Sequence, residues 1–309
     1  MKNLLLLLAL GTASAVSLSA KIVRTVEKTF AVQPGGTLAV STEGGDITVQ
    51  TADISEVRIT ARQSIRASSE AEADRLLEKL TLTLAQSGNE VTAEAKYERG
   101  SGWFRGPQPV EVAFVVTVPE RFDVGLRTSG GNLRVGNLTG TLTAKTSGGN
   151  ITLERVDGAV EANTSGGNIS LREGTARAKL HTSGGNIRVD QAAGPVEATT
   201  SGGDLLLNSV ANLVLAKTSG GDVSAVITTP PTADTTLSTS GGNVSVRLPA
   251  DAKFRLDAST SGGSVNATGL TITLAQGGVG KSRLVGDVNG GGPVLKLRTS
   301  GGNIRVRSE

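Results

Sequence analysis

The sequence has no cysteine and one histidine, His181, among its 309 residues. These absences exclude a disulfide framework, zinc sites built from cysteine, cysteine-ligated haem or iron–sulfur clusters, and a cysteine nucleophile. A serine–histidine–aspartate triad would have to use His181. No pair of carboxylates stands out as the acid and base of a hydrolase, and aromatic residues make up just 2% of the chain. We therefore expect no catalytic residues, no cofactor and no metal.

A strong charge of one sign is also lacking, because 28 acidic residues nearly balance 31 basic ones. Without a basic block, the sequence does not predict nucleic-acid binding. Residues 275–282 (AQGGVGKS) match a relaxed phosphate-binding loop that has alanine in place of its first glycine. The glycine-rich residues that follow cannot form the helix such a loop needs. We expect no nucleotide and interpret this segment as a long loop between repeats.

The one long apolar run lies at the N-terminus, where Lys2 precedes Leu4–Leu10 and the small residues Ala13-Ser14-Ala15 follow. This pattern predicts a secretory signal peptide over residues 1–15. The run is short of the roughly 20 residues of a membrane span, although an uncleaved N-terminal anchor is the alternative. We expect a mature chain without a transmembrane segment, exported to the periplasm, the cell surface or the medium.

A short repeat occupies most of the remaining chain. The string T-S-G-G recurs every 18 residues with its serines at 129, 147, 165, 183, 201 and 219, and it returns at 240, 261 and 300. Asn or Asp and then an aliphatic residue usually follow. Such a period is the mark of a repeat architecture. The predicted turn glycines are Gly130, Gly131, Gly148, Gly149, Gly166, Gly167, Gly184, Gly185, Gly202, Gly203, Gly220 and Gly221.

Apolar and polar residues alternate on both sides of each glycine pair, which predicts two short half-buried strands per repeat. Predicted inward columns include Ile151 and Leu153 after the glycines, and Val160, Ala162 and Val214 before them. A narrow core of aliphatic residues favours an all-β fold, a parallel β-solenoid. We attribute the corners to glycines with positive φ and to asparagine amides that hydrogen-bond along the stack. An antiparallel meander is the alternative, because Gly-Gly pairs also suit hairpins.

Residues 16–122 differ from the repeat region of residues 123–309. They contain one relic repeat at residues 43–47 and strand-like runs at residues 56–61, 81–85, 91–97 and 110–118. Ser69 and Glu72 form a capping box, and Ala73, Leu76, Leu77 and Leu80 share one helix face. We expect a small α+β cap with one helix, because an open solenoid end would expose strand edges.

The T-S-G-G-[ND]-[ILV] series resembles a bacterial family of exported proteins called putative adhesins, and the related auto-transporter adhesin head family. The helix at residues 69–80, the loop at residues 97–109 and the glycine run at residues 290–293 are similar to the same family. The resemblance covers nearly all of the mature chain. It implies a β-solenoid with a role outside the cytoplasm, and it implies no catalytic residues.

One loop outside the repeat suggests a binding site. It places Trp103 and Phe104 between Arg99 and Arg105, and aromatic–arginine clusters are typical of binding hot spots. The alternative is that these aromatic side chains plug the solenoid end. In the repeat, Asp204 and Asp222 occupy one column, which raises the question of calcium. Two carboxylates are too few ligands, so we favour a turn role for both.

These features predict a non-enzymatic protein of the cell envelope or surface, an adhesin or scaffold. Its repetitive surface would meet an envelope polymer or a partner protein. An envelope-stress sensor or regulator is the first alternative, and a carboxylate-based carbohydrate-active enzyme is the second.

Overall fold

The computed structural model describes residues 21–98 and 108–308. The predicted signal peptide therefore lies outside the described residues. Nearly all of the regular secondary structure in the described chain is β-strand, as the sequence predicts, and one helix, α1 (Glu70–Leu77), accompanies the strands. The strands are β1 (Lys21–Ala31), β2 (Gly36–Thr42), β3 (Ile47–Ala52), β4 (Glu56–Arg66), β5 (Leu80–Ser87), β6 (Glu90–Tyr97), β7 (Val110–Pro119), β8 (Phe122–Thr128), β9 (Leu133–Val135), β10 (Leu138–Thr139), β11 (Leu142–Lys145), β12 (Ile151–Asp157), β13 (Val160–Asn163), β14 (Ile169–Gly174), β15 (Ala178–His181), β16 (Ile187–Thr199), β17 (Leu205–Lys217), β18 (Val223–Ile227), β19 (Thr235–Ser238), β20 (Val244–Leu248), β21 (Phe254–Thr260), β22 (Val265–Thr268), β23 (Ile272–Gly280), β24 (Arg283–Val288), β25 (Val294–Thr299) and β26 (Ile304–Ser308).

The strands wind into a solenoid with two main ladders. Each rung consists of a strand that enters a Gly-Gly corner and a strand that leaves it. The entering strands form ladder A, in the order β5-β6-β2-β8-β11-β13-β15-β16-β17-β19-β25-β21-β24-β23. The leaving strands form ladder B, in the order β1-β4-β7-β3-β9-β12-β14-β16-β17-β18-β20-β26-β22. The long strands β16 and β17 contribute to both ladders.

The repeat period sets the register. Ile151 pairs with Leu133 on one side and with Ile169 on the other, each 18 residues away, and both pairings are parallel. The pairings between rungs are thus not those of a hairpin meander. Because each rung adds the same residue types at the same positions, the side chains align in straight rows along the stack.

The core lies between the two ladders. Ile151, Leu153, Ala162 and the other inward residues of the rungs are essentially inaccessible to solvent. One predicted inward residue is displaced: Val214 is partly exposed, and Leu213 is buried in its place. A register shift, in which Val196 pairs with Leu213 and Glu197 with Leu215, causes this change.

At the N-terminal end, β1, β5 and α1 cover the core. Ser69 caps α1 by accepting the backbone N–H of Glu72 at 3.2 Å, and Arg24 of β1 pairs with Glu70 at 2.8 Å and with Asp74 at 2.6 Å. The helix ends at Leu77. The prediction that Leu80 lies on the helix is therefore wrong, since Leu80 begins β5 and pairs with Tyr97.

Rungs near both ends are stacked out of chain order. The rung β2/β3 lies between β6/β7 and β8/β9, and the final rung β25/β26 lies between β19/β20 and β21/β22. The segment predicted as a loop, residues 275–282, is instead part of an antiparallel hairpin formed by β23 and β24. That prediction is wrong because β24 extends ladder A beyond β21 and gives β23 a strand to pair with.

Candidate functional site

The corners hold the rungs in register through buried threonines. Thr182 is fully buried, and its hydroxyl donates to the carbonyl of Gly167 in the preceding rung at 2.8 Å. The same oxygen accepts the backbone N–H of Gly185 at 3.2 Å. Equivalent bonds to the neighbouring rung recur along the stack. The hydroxyl of Thr128 donates to the carbonyl of Gly45, that of Thr146 to Gly131, and that of Thr299 to Gly242.

The second glycine of each corner is required by the closeness of the rungs. A Cβ on Gly149 would lie 1.9 Å from the carbonyl oxygen of Gly131, whereas a Cβ on Gly148 would meet nothing nearer than 3.8 Å. None of the corner glycines has a positive φ. The predicted reason for glycine here, a left-handed backbone, is therefore wrong. The reason is a close approach between neighbouring rungs.

The Asn or Asp after each glycine pair forms the predicted ladder along the stack. Its main contact is a backbone N–H that donates to a side-chain Oδ1, and not the predicted bond between side-chain amides. The backbone N–H of Asn168 donates to Oδ1 of Asn150 at 2.8 Å, and the amide of Asn150 reaches Oδ1 of Asn132 at 3.2 Å. Asp204 and Asp222 act in the same way, since the N–H of Asp222 donates to Asp204 at 2.8 Å. Within residues 21–98 and 108–308, no group of three or more acidic or histidine side chains is placed to hold a metal ion.

Two outward rows on ladder A run the length of the stack, with neighbouring members about 4.8 Å apart. The Gly125 row consists of Thr92, Ala39, Gly125, Thr143, Glu161, Lys179, Glu197, Leu215, Thr236, Lys296 and Asp257. The Arg127 row consists of Glu94, Ser41, Arg127, Lys145, Asn163, His181, Thr199, Lys217, Ser238, Arg298 and Ser259. Together they present hydroxyl, amide, cationic and carboxylate side chains on successive strands.

The rows contain a depression at Gly125, here called the trough. Its floor is formed by Ala39 and Gly125, and its walls by Thr92 and Thr143 on the neighbouring rungs. It encloses about 320 Å³. The trough exists because two adjacent rungs carry no side chain larger than a methyl group where the next rungs carry threonine.

Charged side chains surround the trough unevenly. Arg127 and Lys145 lie side by side on adjacent strands, and Lys145 pairs with Glu161 at 2.9 Å. The hydrogen bond from Lys145 lowers the pKa of Glu161. Glu94 lies beyond Ser41 from Arg127. Among the described residues, neither Arg127 nor Glu94 has an ion-pair or side-chain hydrogen-bond partner.

Some of the predicted site residues lie within the described part of the chain and others do not. Arg99, Trp103, Phe104 and Arg105 lie outside the described residues, so the predicted binding loop stays a prediction. His181 is exposed, and its Nδ1 lies 2.8 Å from the hydroxyl of Thr199. Gly280 ends β23, and Lys281-Ser282 form the turn to β24, with no helix after it.

Sequence reasoning missed the trough. The signal was present in part, since Gly125 falls in an outward column whose later members are Thr143, Glu161 and Lys179. The contribution of Ala39 was not visible, because it lies 86 positions earlier in the chain and meets Gly125 through strand pairing.

Residues 36–307 match the protein family described as Toastrack DUF4097. Among curated proteins, no sequence matches this chain. In the part of the chain that the structure describes, none of the helical structure is long and apolar enough for a membrane crossing.

Several solved structures are similar to this chain over most of its length, among them the following three. A putative adhesin from Bacteroides fragilis has 16% identity and a TM-score of 0.39, with 93% of this chain and 97% of that chain covered. A putative adhesin from Parabacteroides distasonis has 13% identity and a TM-score of 0.45, with the same coverage. A putative lipid binding protein from Parabacteroides distasonis has 10% identity and a TM-score of 0.34, with 91% and 96% covered. Similarity this low gives no information on function.

Proposed function

This chain belongs to the Toastrack DUF4097 family, and from that premise we propose that it is a non-enzymatic, exported scaffold or adhesin of the cell envelope. Its ligand is a polymer or partner protein of the envelope, which it meets through the two outward rows of ladder A. Residues 1–15 serve as the export signal. Within residues 16–122, β1, α1 and β5 serve as the cap, and residues 123–309 supply most of the rungs of the solenoid.

The observation that supports this proposal most directly is the alignment of the Arg127 row. Its members lie on successive strands in unbroken lateral register from Glu94 to Ser259. A linear polymer or an extended protein segment can touch several rungs at once, and many weak contacts then add to a useful affinity.

Cosedimentation of the purified protein with isolated envelope fractions, at low and at high salt, tests the proposal. We expect binding that persists at high salt. A variant with Lys179→Ser and Lys217→Ser, both on ladder A, should bind less. The matched control is Arg305→Ser with Arg307→Ser, which removes the same charge from exposed positions on ladder B.

Three results would contradict the proposal. The first is that the wild-type protein binds no envelope fraction. The second is that its binding vanishes at high salt, and the third is that the ladder A and ladder B double variants lose binding equally. The last two results indicate nonspecific charge attraction.

A further inference from the structure

Neither the backbone conformation nor a close contact within the protein explains why residue 125 is a glycine. Its strand β8 pairs without a register shift on both sides, so no bulge is present. Its φ is not positive, and a Cβ there would meet nothing nearer than the backbone oxygen of Leu38 at 3.7 Å. A glycine inside a strand weakens the strand and often marks a place where a ligand approaches the backbone. Because β8 has no bulge and Gly125 no positive φ, the approach of a ligand to the backbone is the interpretation that remains for Gly125.

The charges beside the trough indicate what kind of ligand would fit. Arg127 and Lys145 are like charges on adjacent strands, an arrangement that is unfavourable unless an anion balances it. Glu161 balances Lys145, which leaves the guanidinium of Arg127 available. A guanidinium binds carboxylate and phosphate groups with two parallel hydrogen bonds.

The rest of the lining is suited to hydroxyl groups. Thr92, Thr143 and Ser41 offer hydroxyls that both donate and accept. Glu94, two strands from Arg127, offers a carboxylate that accepts hydrogen bonds. At about 320 Å³, the trough is at the small end of the range for ligand pockets, which suits a single unit of a chain.

Resting on the function proposed above, we infer that the trough binds one anionic, polyhydroxylated unit of an envelope polymer. The acid group of the unit pairs with Arg127, and its hydroxyls bond to Glu94 and to the threonine and serine side chains. A sugar acid and a polyol phosphate share this chemistry. The neighbouring rungs then hold the polymer along ladder A.

Calorimetric titration with three probes tests the inference: a galacturonate hexamer, a neutral galactose hexamer and a glycerol phosphate hexamer. We expect one of the two anionic probes to bind and the neutral probe not to bind. The anionic probe that binds identifies the acid group as carboxylate or phosphate.

Two variants locate the site. Gly125→Thr fills the trough with a side chain that the strand accepts, and Arg127→Gln removes the guanidinium. Each should weaken binding at least about tenfold. The matched controls are Gly136→Thr, in the connection that follows β9 of ladder B, where a Cβ also meets nothing nearer than 3.7 Å, and Arg305→Gln. Both controls should bind as the wild type does, and all four variants should keep the wild-type thermal transition within a few degrees.

Three results would overturn the inference. Gly125→Thr would bind the anionic probe as the wild type does, the two control variants would lose as much binding as the two site variants, or the neutral probe would bind as tightly as the anionic one. The experiments distinguish a failure of this inference from a failure of the proposed function. If Gly125→Thr still cosediments with the envelope, ladder A binds without the trough. If the wild type binds an anionic probe but no envelope fraction, the trough stands and the scaffold role falls.

Discussion

At the scale of single residues, each corner contains two glycines with different physical roles. In the corners from Gly130 to Gly185, a Cβ on the first glycine would meet nothing nearer than 3.6 Å, whereas a Cβ on the second would lie 1.9–2.0 Å from a carbonyl oxygen of the rung before it. The buried threonine two residues before the pair bonds to that same rung. Glycine and threonine therefore act together, since one permits the close approach and the other fixes it.

The first prediction separates the two glycines. Gly149→Ala places a methyl group 1.9 Å from the backbone oxygen of Gly131, so we expect it to lower the free energy of unfolding by at least about 3 kcal/mol, the upper end of the usual cost of overpacking. Gly148→Ala is the control and should change stability by less than about 0.5 kcal/mol. Urea denaturation of both variants measures the difference, and equal losses would contradict the close-approach explanation.

The second prediction concerns the buried hydroxyls. Thr182→Val keeps the shape of the side chain but leaves the carbonyl of Gly167 and the N–H of Gly185 without their partner. We expect a loss of about 1–3 kcal/mol. Thr152→Val, the same change on an outward position, should be nearly neutral. A Thr182→Val variant as stable as Thr152→Val would show that the threonine bonds contribute nothing.

At the scale of elements, neighbouring strands of ladder A are joined by side chains as well as by the backbone. Lys145 of β11 and Glu161 of β13 form such a contact at 2.9 Å, with both side chains nearly half exposed. Asn163 donates to the same carboxylate at 3.0 Å. Glu161 of β13 lies on the opposite side of β11 from Arg127 of β8, so these contacts balance the charge of Lys145 and not that of Arg127.

The third prediction follows from the lowered pKa of Glu161, whose largest cause is the hydrogen bond from Lys145. A carboxyl group with a depressed folded-state pKa stabilises the protein above its ordinary value of 4.5, and this contribution is lost as the pH falls through the lower folded-state value. Glu161→Gln should therefore be less stable than wild type at pH 6, within the range of about 0.2–1 kcal/mol for exposed pairs. The difference should shrink at pH 3.

Urea denaturation of both proteins at pH 6 and pH 3 measures this effect. A gap between wild type and Glu161→Gln that is constant with pH, or that widens in acid, would argue against the ion pair.

At the scale of the whole molecule, the order of the rungs determines how the stack resists opening. In a simple solenoid the last repeat is the outermost one and contacts a single neighbour. Here the last rung of the chain, β25/β26, has a neighbour on both sides. Strand β26 cannot leave the stack without losing its pairing with both β20 and β22.

The fourth prediction tests this arrangement. Ile304 of β26 is as fully buried as Ile151 in the middle of the stack, so Ile304→Ala and Ile151→Ala should each cost about 2–5 kcal/mol. Val265→Ala, in the edge strand β22, should cost less because Val265 is partly exposed. Hydrogen exchange should protect β26 as strongly as β12. Rapid exchange throughout β26 would contradict the inserted position.

Much of the fold was predictable because the repeat carries the same information many times. The period of 18, the alternation around residues such as Ile151 and Leu153, and the capping box at Ser69 each have a local physical cause. The predictions that failed concern contacts between segments. Val214 lost its inward place to a register shift, and residues 275–282 became the end and turn of a β-hairpin because β24 offers β23 a pairing partner.

The candidate site follows the same division. The outward columns were visible in the sequence, but the trough needs Ala39 beside Gly125, and the predicted loop around Trp103 lies outside the described residues.

The sequence by itself determined the all-β character, the corner residues and the inward columns, because these depend on local alternation and on a period that repeats along the chain. The tertiary structure alone decided which rungs are neighbours. The insertion of β2/β3 and β25/β26 and the pairing of Ala39 with Gly125 join segments that are far apart in the chain. The physical reason is that parallel strands of similar alternation can pair with one another in many orders.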